Sequence, residues 1–244
     1  MSTVYHSRKA PGRAAKEVLR AVVTMPEPVA VPFYFRWRGV IHWLMAAVLL
    51  ILAAPLILML VVAVRLTSPG PAVYRQRRVG KNGRVFTLYK IRSMRIDAEA
   101  RTGPVWTVTH RDPRITPLGR FLRYTHLDEL PQLINVVNGE MALVGPRPER
   151  PEFTEALAEE IPGYAERLRV LPGITGLAQL NLPADSELDS VRRKLVLDLE
   201  YIRAGCAWLD FVILLCTCFR LAGIRSGFLR RLTRIERSPQ PALQ

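Results

Sequence analysis

The stretch Leu127-Asp128-Glu129-Leu130-Pro131-Gln132-Leu133 carries the side chains with the most chemical promise. Pro131 is tolerated in the first turn of a helix and nowhere deeper. Asp128 is a natural N-cap, so the acidic pair is expected at a helix N-terminus. Unpaired N–H groups and the helix dipole favour anions there, whether carboxylate or phosphate. Two adjacent carboxylates can share a hard cation such as Mg²⁺, which keeps open positions for phosphate oxygens. An ionised Asp can also attack phosphorus. Taken alone, the pair is also ordinary helix capping.

Two further segments suit phosphate chemistry. In Gly145-Pro146-Arg147-Pro148 the prolines Pro146 and Pro148 fix the backbone on both sides of Arg147. A rigidly presented Arg suits bidentate phosphate contact, although a proline-rich surface turn looks the same. Pro172-Gly173-Ile174-Thr175-Gly176 reads as a tight turn whose glycines let backbone approach a ligand. Upstream, Arg75 to Arg95 holds eight basic residues and no acid. Such a run is usually a solvated face, but after a membrane segment it is placed to meet lipid phosphate. Its aromatics, Tyr74, Phe86 and Tyr89, are too sparse for single-strand nucleic-acid binding.

The elements that must position these residues begin with an apolar run, Val40 to Val64, whose only ionisable residue is His42. As helix it would extend about 37 Å, against a bilayer core of about 30 Å. Pro55 near its middle predicts a kink. Basic residues flank both ends, with Arg36 and Arg38 before it and Arg65, Arg75, Arg77 and Arg78 after it. Lys and Arg favour the cytoplasmic side, so a bent helix that enters and returns fits better than a span. A second apolar stretch, Trp208 to Leu221, carries Asp210 and precedes a basic tail. It reads either as an interfacial helix or as a helix packed on the core.

Between them, Pro71 to Arg78 and Arg84 to Tyr89 read as extended segments around Gly80-Lys81-Asn82-Gly83. Helices are expected over Ile91–Arg101, Leu118–Tyr124, Leu130–Val137, Pro151–Glu160 and Leu188–Arg203, with a loop from Thr102 to Pro117. The fold class is therefore mainly α with a minor β element. The expected divisions are a flexible basic segment (1–36), a re-entrant membrane helix (37–66), a catalytic domain (67–204) and an interfacial helix with basic tail (205–244). The first segment shows no cleavable signal pattern and is expected to be retained.

The chain carries 35 basic against 21 acidic residues, a net +14, which favours anionic partners, including anionic headgroups. Cys206, Cys216 and Cys218 lie in or beside one apolar stretch and read as buried thiols. The four histidines make no cluster with zinc-ligand spacing.

In this order, these segments resemble the bacterial sugar transferases, the monotopic polyprenyl-phosphate phosphoglycosyl transferases. The resemblance covers about Val40 to Leu221. It is carried by Ser68-Pro69-Gly70-Pro71, Tyr74 to Gly80, Tyr89-Lys90-Ile91-Arg92-Ser93-Met94, Leu127 to Leu133, Leu143 to Glu149 and Pro172 to Gly176. Gly103-Pro104-Val105-Trp106 and Asp112-Pro113-Arg114 resemble the exopolysaccharide branch.

The resemblance implies transfer of a hexose phosphate from a UDP-sugar to undecaprenyl phosphate, with UMP released and Mg²⁺ required. It makes Asp128 the nucleophile through an acyl-phosphate, with Glu129 its partner and both carboxylates at the metal. Lys90, Arg92, Arg123 and Arg147 become phosphate-binding cations, and Asp198 a further acid near the site. Neighbouring positive charge is expected to keep Asp128 ionised. The implied location is the cytoplasmic face of the bacterial inner membrane; oligomeric state is left open, a homodimer included.

The chain departs from the family at Leu177, where Trp is usual, and at Asn181-Leu182-Pro183, where Asn-Gly-Arg is usual. Both put donor contacts there in doubt. The alternatives are a non-catalytic basic membrane scaffold and a membrane-tethered nucleic-acid binder. The scaffold leaves the intact dyad and Gly145–Pro148 turn without purpose, and the nucleic-acid binder leaves the dyad unexplained.

Overall fold

A computed structural model describes residues 29–98, 112–182 and 188–223. Helix α1 (Tyr34–Thr67) contains Pro55 and is rich in Leu, Ala and Val. It stops where Ser68-Pro69-Gly70-Pro71 removes helical donors; the Ser68 N–H still bonds Val64 O at 3.1 Å. Its buried residues are Arg38, His42, Ala46, Leu60 and Val64. At 3.6 residues per turn these five fall on one stripe. The rest of the helix is open, and only 11% of its most apolar window is buried. Among the described residues it is the one helix long and apolar enough to cross a membrane. A soluble core helix would be mostly covered, so α1 is a candidate membrane segment.

The hairpin β1 (Val73–Val79) and β2 (Val85–Ile91) pairs antiparallel, with Tyr74 opposite Lys90 and Arg78 opposite Phe86. Its connection turns through a left-handed Asn82 at φ 55°. Helices α2 (Pro117–Thr125) and α3 (Gln132–Val137) follow, then β3 (Ala142–Val144) and α4 (Pro151–Glu160). Strand β4 (Gly173–Thr175) pairs parallel with β3, and α5 (Leu177–Asn181), α6 (Leu188–Ala204) and α7 (Ala207–Leu221) complete the order. The architecture is mainly helical with two small sheets.

Two expectations are corrected. Residues 91–98 are not helical. Strand β2 runs to Ile91, Arg92 N–H extends the hairpin to Ala72 O at 2.8 Å, and Met94 bridges Ile115. The alternating charges there suggested helical pairs, but these tertiary bonds take the backbone instead. The remainder of that segment and the 102–111 loop lie outside the described residues. Pro172–Gly176 is not a tight turn, because its centre is β4. Its partner lies some thirty residues upstream in sequence, a relation that local spacing does not reveal.

The core has two parts. Leu88, Leu133, Met141, Val144, Leu195, Ile202 and Ile213 belong to one, and Leu60, Val64, Ala72, Ile91 and Leu122 to the other. The chain crosses from one to the other between Leu88 and Ile91, and again between Leu127 and Leu133. Lys90 and Asp128-Glu129 therefore sit at the seam.

Helix α7 packs one face on the core and leaves another open. Leu209, Ile213 and Cys216 are buried, while Trp208, Phe211 and Leu221 face outward. Its Asp210 is buried and accepts from Tyr34 and Tyr201 hydroxyls at 2.7 Å each. Arg38 Nη1 and His42 Nε2 approach the same carboxylate at 3.1 Å each. Arg38 also donates to Val144 O at 2.9 Å, so the network ties α1 to the end of β3. Buried charge needs such partners.

A Cβ at Gly173 would overlap backbone atoms of Gly145 and Thr175, which cannot move aside as a side chain could. Gly173→Ala should therefore destabilise by about 1–3 kcal/mol. Gly39→Ala, at a helical position with open space, should be neutral or stabilising. Thermal unfolding in detergent would compare the two.

Candidate active site

Asp128 and Glu129 lie in a short 3-10 turn (Leu127–Glu129) between α2 and α3. Helix α2 closes on His126, a left-handed residue at φ 56° whose N–H bonds Arg123 O. Glu129 N–H then bonds His126 O at 3.1 Å. Asp128 is thus not the N-cap of the following helix: Pro131 is, with no side-chain cap bond, and α3 has only six residues. The tighter turn takes the place of the expected cap, and side-chain cations rather than a helix terminus set the local field.

Glu129 Oε1 accepts from Lys90 Nζ at 2.8 Å and from Arg147 Nη2 at 2.7 Å. Burial pushes its carboxyl up, but Arg147 and Lys90 more than cancel this and hold it well below the usual carboxylate range. Asp128 is 6% exposed and accepts no hydrogen bond from the described residues. Burial raises its carboxyl above the ordinary range, against Lys90, and Glu129 adds to the rise. Lys90, Arg123 and Arg147 pull the Asp128 carboxyl down, as expected of neighbouring cations, but desolvation is the larger effect. The dyad is asymmetric, with one acid pinned by two cations and the other buried without a bond.

Arg123 comes one turn after Gly119. A Cβ at Gly119 would overlap the Ser93 carbonyl, so the glycine lets α2 lie directly on Ser93. Arg123 Nε then donates to Ser93 Oγ at 2.9 Å, and the guanidinium lies near Asp128. Arg92 has a different engagement. Its guanidinium donates to Pro69 O, Ser68 O and Ser68 Oγ at 2.7–2.8 Å, fastening the link between α1 and β1.

Arg147 stands on a loop held at four successive carbonyls. Pro146 O accepts from Gly173 N at 2.9 Å, Arg147 O from Arg167 Nη2 at 2.8 Å, Pro148 O from Arg78 Nη1 at 3.0 Å and Glu149 O from Val79 N at 2.8 Å. Both prolines are buried and add fixed φ to this restraint. Asp198 lies behind the loop rather than beside the dyad. It pairs with Arg167 at 2.8 Å, and Arg167 holds the Arg147 carbonyl.

Arg78 and Arg167 escaped the sequence reading. Strand alternation puts Arg78 on the face of Lys90, a signal available in the basic run. Asp198 shares the buried face of α6 with Leu195, Leu199 and Ile202. An acid there demands a cation, although its spacing from Arg167 does not name it.

The dyad and the cations around it border one open cavity of about 2410 Å³, which Arg167 and Asp198 do not line. Lys90, Arg123, Asp128, Glu129 and Arg147 line its charged part, and Leu49, Ala53, Leu180 and Leu214 an apolar part. Pockets for a single small ligand run about 300–1,000 Å³, so this volume has room for two.

The family model described as Bacterial sugar transferase matches residues 34–223. The chain belongs to that family. It is 41% identical over 178 residues to the UDP-glucose:undecaprenyl-phosphate glucose-1-phosphate transferase of Escherichia coli (strain K12), covering 72% of this chain and 38% of that protein. A protein of the same name from Caulobacter vibrioides (strain ATCC 19089 / CIP 103742 / CB 15) is 41% identical over 183 residues, covering 74% of this chain and 67% of its own length. The UDP-N-acetylgalactosamine-undecaprenyl-phosphate N-acetylgalactosaminephosphotransferase of Aeromonas hydrophila is 39% identical over 204 residues, 84% of this chain and 46% of that protein. The chain thus spans less than half of the Escherichia coli and Aeromonas hydrophila relatives. Leu177, the first of the two sequence departures, is 3% exposed and packs in the larger core. Pro183 lies outside the described residues.

The raised Asp128 carboxyl has a stability consequence. A carboxyl whose folded pKa exceeds its unfolded one destabilises the fold once pH passes the folded value, and has no effect below the unfolded value. Asp128→Asn should therefore melt a few degrees above wild type at neutral pH, and this gain should vanish at pH below the ordinary aspartate range. Paired thermal scans in detergent would measure it.

Proposed function

We propose that this chain transfers a sugar phosphate from a UDP-sugar to undecaprenyl phosphate at the cytoplasmic face of a bacterial inner membrane, releasing UMP and starting glycan assembly. The observation that carries the reading is the asymmetric dyad at the seam of the cavity. Asp128, buried and free of hydrogen bonds from the described residues, is available as a nucleophile; Glu129 is held by Lys90 and Arg147.

In the first step an Asp128 carboxylate oxygen attacks the phosphorus that bears the sugar. The bond to the UMP oxygen breaks, UMP leaves with that electron pair, and an acyl-phosphate remains on Asp128. In the second step an oxygen of the lipid phosphate attacks the same phosphorus. The acyl–phosphate bond breaks and the Asp128 carboxylate is restored. Lys90, Arg123 and Arg147 face the charge that spreads over the phosphoryl oxygens in both steps. Desolvation of Asp128 makes its ionised form more reactive, and Lys90, Arg123 and Arg147 favour that form beside an anionic donor.

Both Asp128 oxygens and Glu129 Oε2 accept nothing from the described residues, and no third acidic, His or Cys ligand joins them there. That donor set fits Mg²⁺, which takes one or two carboxylates and completes its shell with water and phosphate oxygens. Bound there, it would supply charge neutralisation for the phosphates.

The cavity supports a two-substrate reading, because its charged part suits a nucleotide diphosphate and its apolar part the first units of a lipid chain. For the membrane helix, the supporting observation is the single buried stripe. Arg38 bonds Val144, and Leu60 packs with Leu122, so both halves of α1 rest on one domain. A bent helix confined to one leaflet meets that condition with both basic flanks on the same side. Labelling of tags at the two ends of the chain should succeed only from the cytoplasm. Periplasmic labelling of either would refute the hairpin.

A panel of UDP-sugars, assayed with undecaprenyl phosphate and Mg²⁺ for UMP release, tests the reaction and identifies the sugar. No release from folded protein across the panel would favour a scaffold. Asp128→Ala should abolish the covalent sugar-phosphate adduct seen by mass spectrometry, and chelation should stop UMP release until Mg²⁺ is restored. An adduct that persists in Asp128→Ala removes Asp128 as nucleophile. Arg147→Ala should lower activity far more than stability.

A further inference from the structure

Asn135 lies on α3, six residues after Glu129, and is 0% exposed. Its Oδ1 accepts the Tyr89 N–H at 3.2 Å. Its Nδ2 donates to Thr87 O at 2.7 Å and to Glu140 Oε2 at 2.7 Å. Thr87 and Tyr89 flank Leu88 on the edge of β2 turned away from β1. One side chain therefore does there what a third strand would do. The Asn135 carbonyl accepts the Glu140 and Met141 N–H groups at 2.9 and 3.2 Å, which fixes the residue at both ends.

The brace joins the two halves of an ion pair. Lys90 follows Tyr89 directly on β2, and Glu129 closes the turn that leads into α3. We propose that Asn135 is a positioning residue: its amide sets the spacing between β2 and the dyad turn, so that Lys90 meets Glu129. No other side chain of similar size does the same. Asp would place oxygens against the Thr87 carbonyl, and Leu would leave a buried N–H and a buried carbonyl without partners. Gln would push strand and helix apart in a filled core.

The test uses the full chain in lipid nanodiscs and reads Lys90 itself. Acetylation by N-hydroxysuccinimidyl acetate is followed by mass spectrometry, with exposed Lys81 as the internal reference. In Asn135→Ala, Lys90 should acetylate about ten-fold faster than in wild type, the loss of roughly one buried hydrogen bond's worth of restraint, while Lys81 is unchanged. Faster amide exchange at Tyr89 with wild-type Lys90 acetylation would overturn the proposal, since the brace would then be structural only. If Asn135→Ala does not fold, Glu140→Ala is read the same way. It removes one acceptor of the amide and should speed Lys90 acetylation about two-fold or more; a wild-type rate refutes the idea.

A kinetic arm rests on the proposed reaction. Asn135→Ala should lower kcat for UMP release about ten-fold or more, and the Asn135→Ala/Lys90→Met double variant should be no slower than Lys90→Met alone. Full additivity would count against action through Lys90. A wild-type chain inactive toward every UDP-sugar refutes the reaction, and the acetylation result still decides the role of Asn135.

Discussion

The Glu129 carboxylate between Lys90 and Arg147 is the contact around which the site is arranged. It joins three separate pieces of chain: a hairpin strand, the dyad turn and the loop after β3. Each cation alone would be poorly placed in a partly buried cleft; together with Glu129 they form a compensated group that tolerates desolvation. Asp128 stays outside this arrangement and accepts no hydrogen bond from the described residues. The same contact explains why Arg147 needs so firm a loop. A side chain that must meet a fixed carboxylate at 2.7 Å gains from a backbone already held at four carbonyls.

Much of the site was legible because its residues occur in short, chemically distinctive runs. Asp128-Glu129, Lys90, Arg123 and Arg147 border one cavity, as residue types and order suggested. Arg92 lines the cavity too, and its hold on Ser68 and Pro69 is a further engagement that the basic run did not announce. The apolar run from Val40 was legible through length and composition alone. The parallel pairing of β3 with β4 was not, because both strands have three residues and meet only across a long connection. Residues 91–98 misled for a related reason: charge spacing suited a helix, while unseen partners at Ala72, Arg114 and Ile115 took the backbone.

The two-part core gives the site its setting. Helix α1 and strand β2 contribute to both clusters, with Ala46 and Leu88 in one and Leu60, Val64 and Ile91 in the other. A helix shared between clusters couples their relative position to its own shape. The bend expected at Pro55 therefore bears on how wide the seam stands, as well as on how the helix meets lipid.

The Asp210 network has a consequence for how the chain is made. Arg38 and its carboxylate are separated by 172 residues. A ribosome adds about 5–20 residues per second, so roughly ten to thirty seconds pass before the counter-charge exists. During that time Arg38 lacks the carboxylate that pairs with it in the fold, so its guanidinium must stay solvated. The buried stripe of α1 around Arg38 cannot settle until α7 supplies Asp210. Synthesis of α7, rather than emergence of the most apolar segment, then sets the moment at which this end of α1 is locked in place.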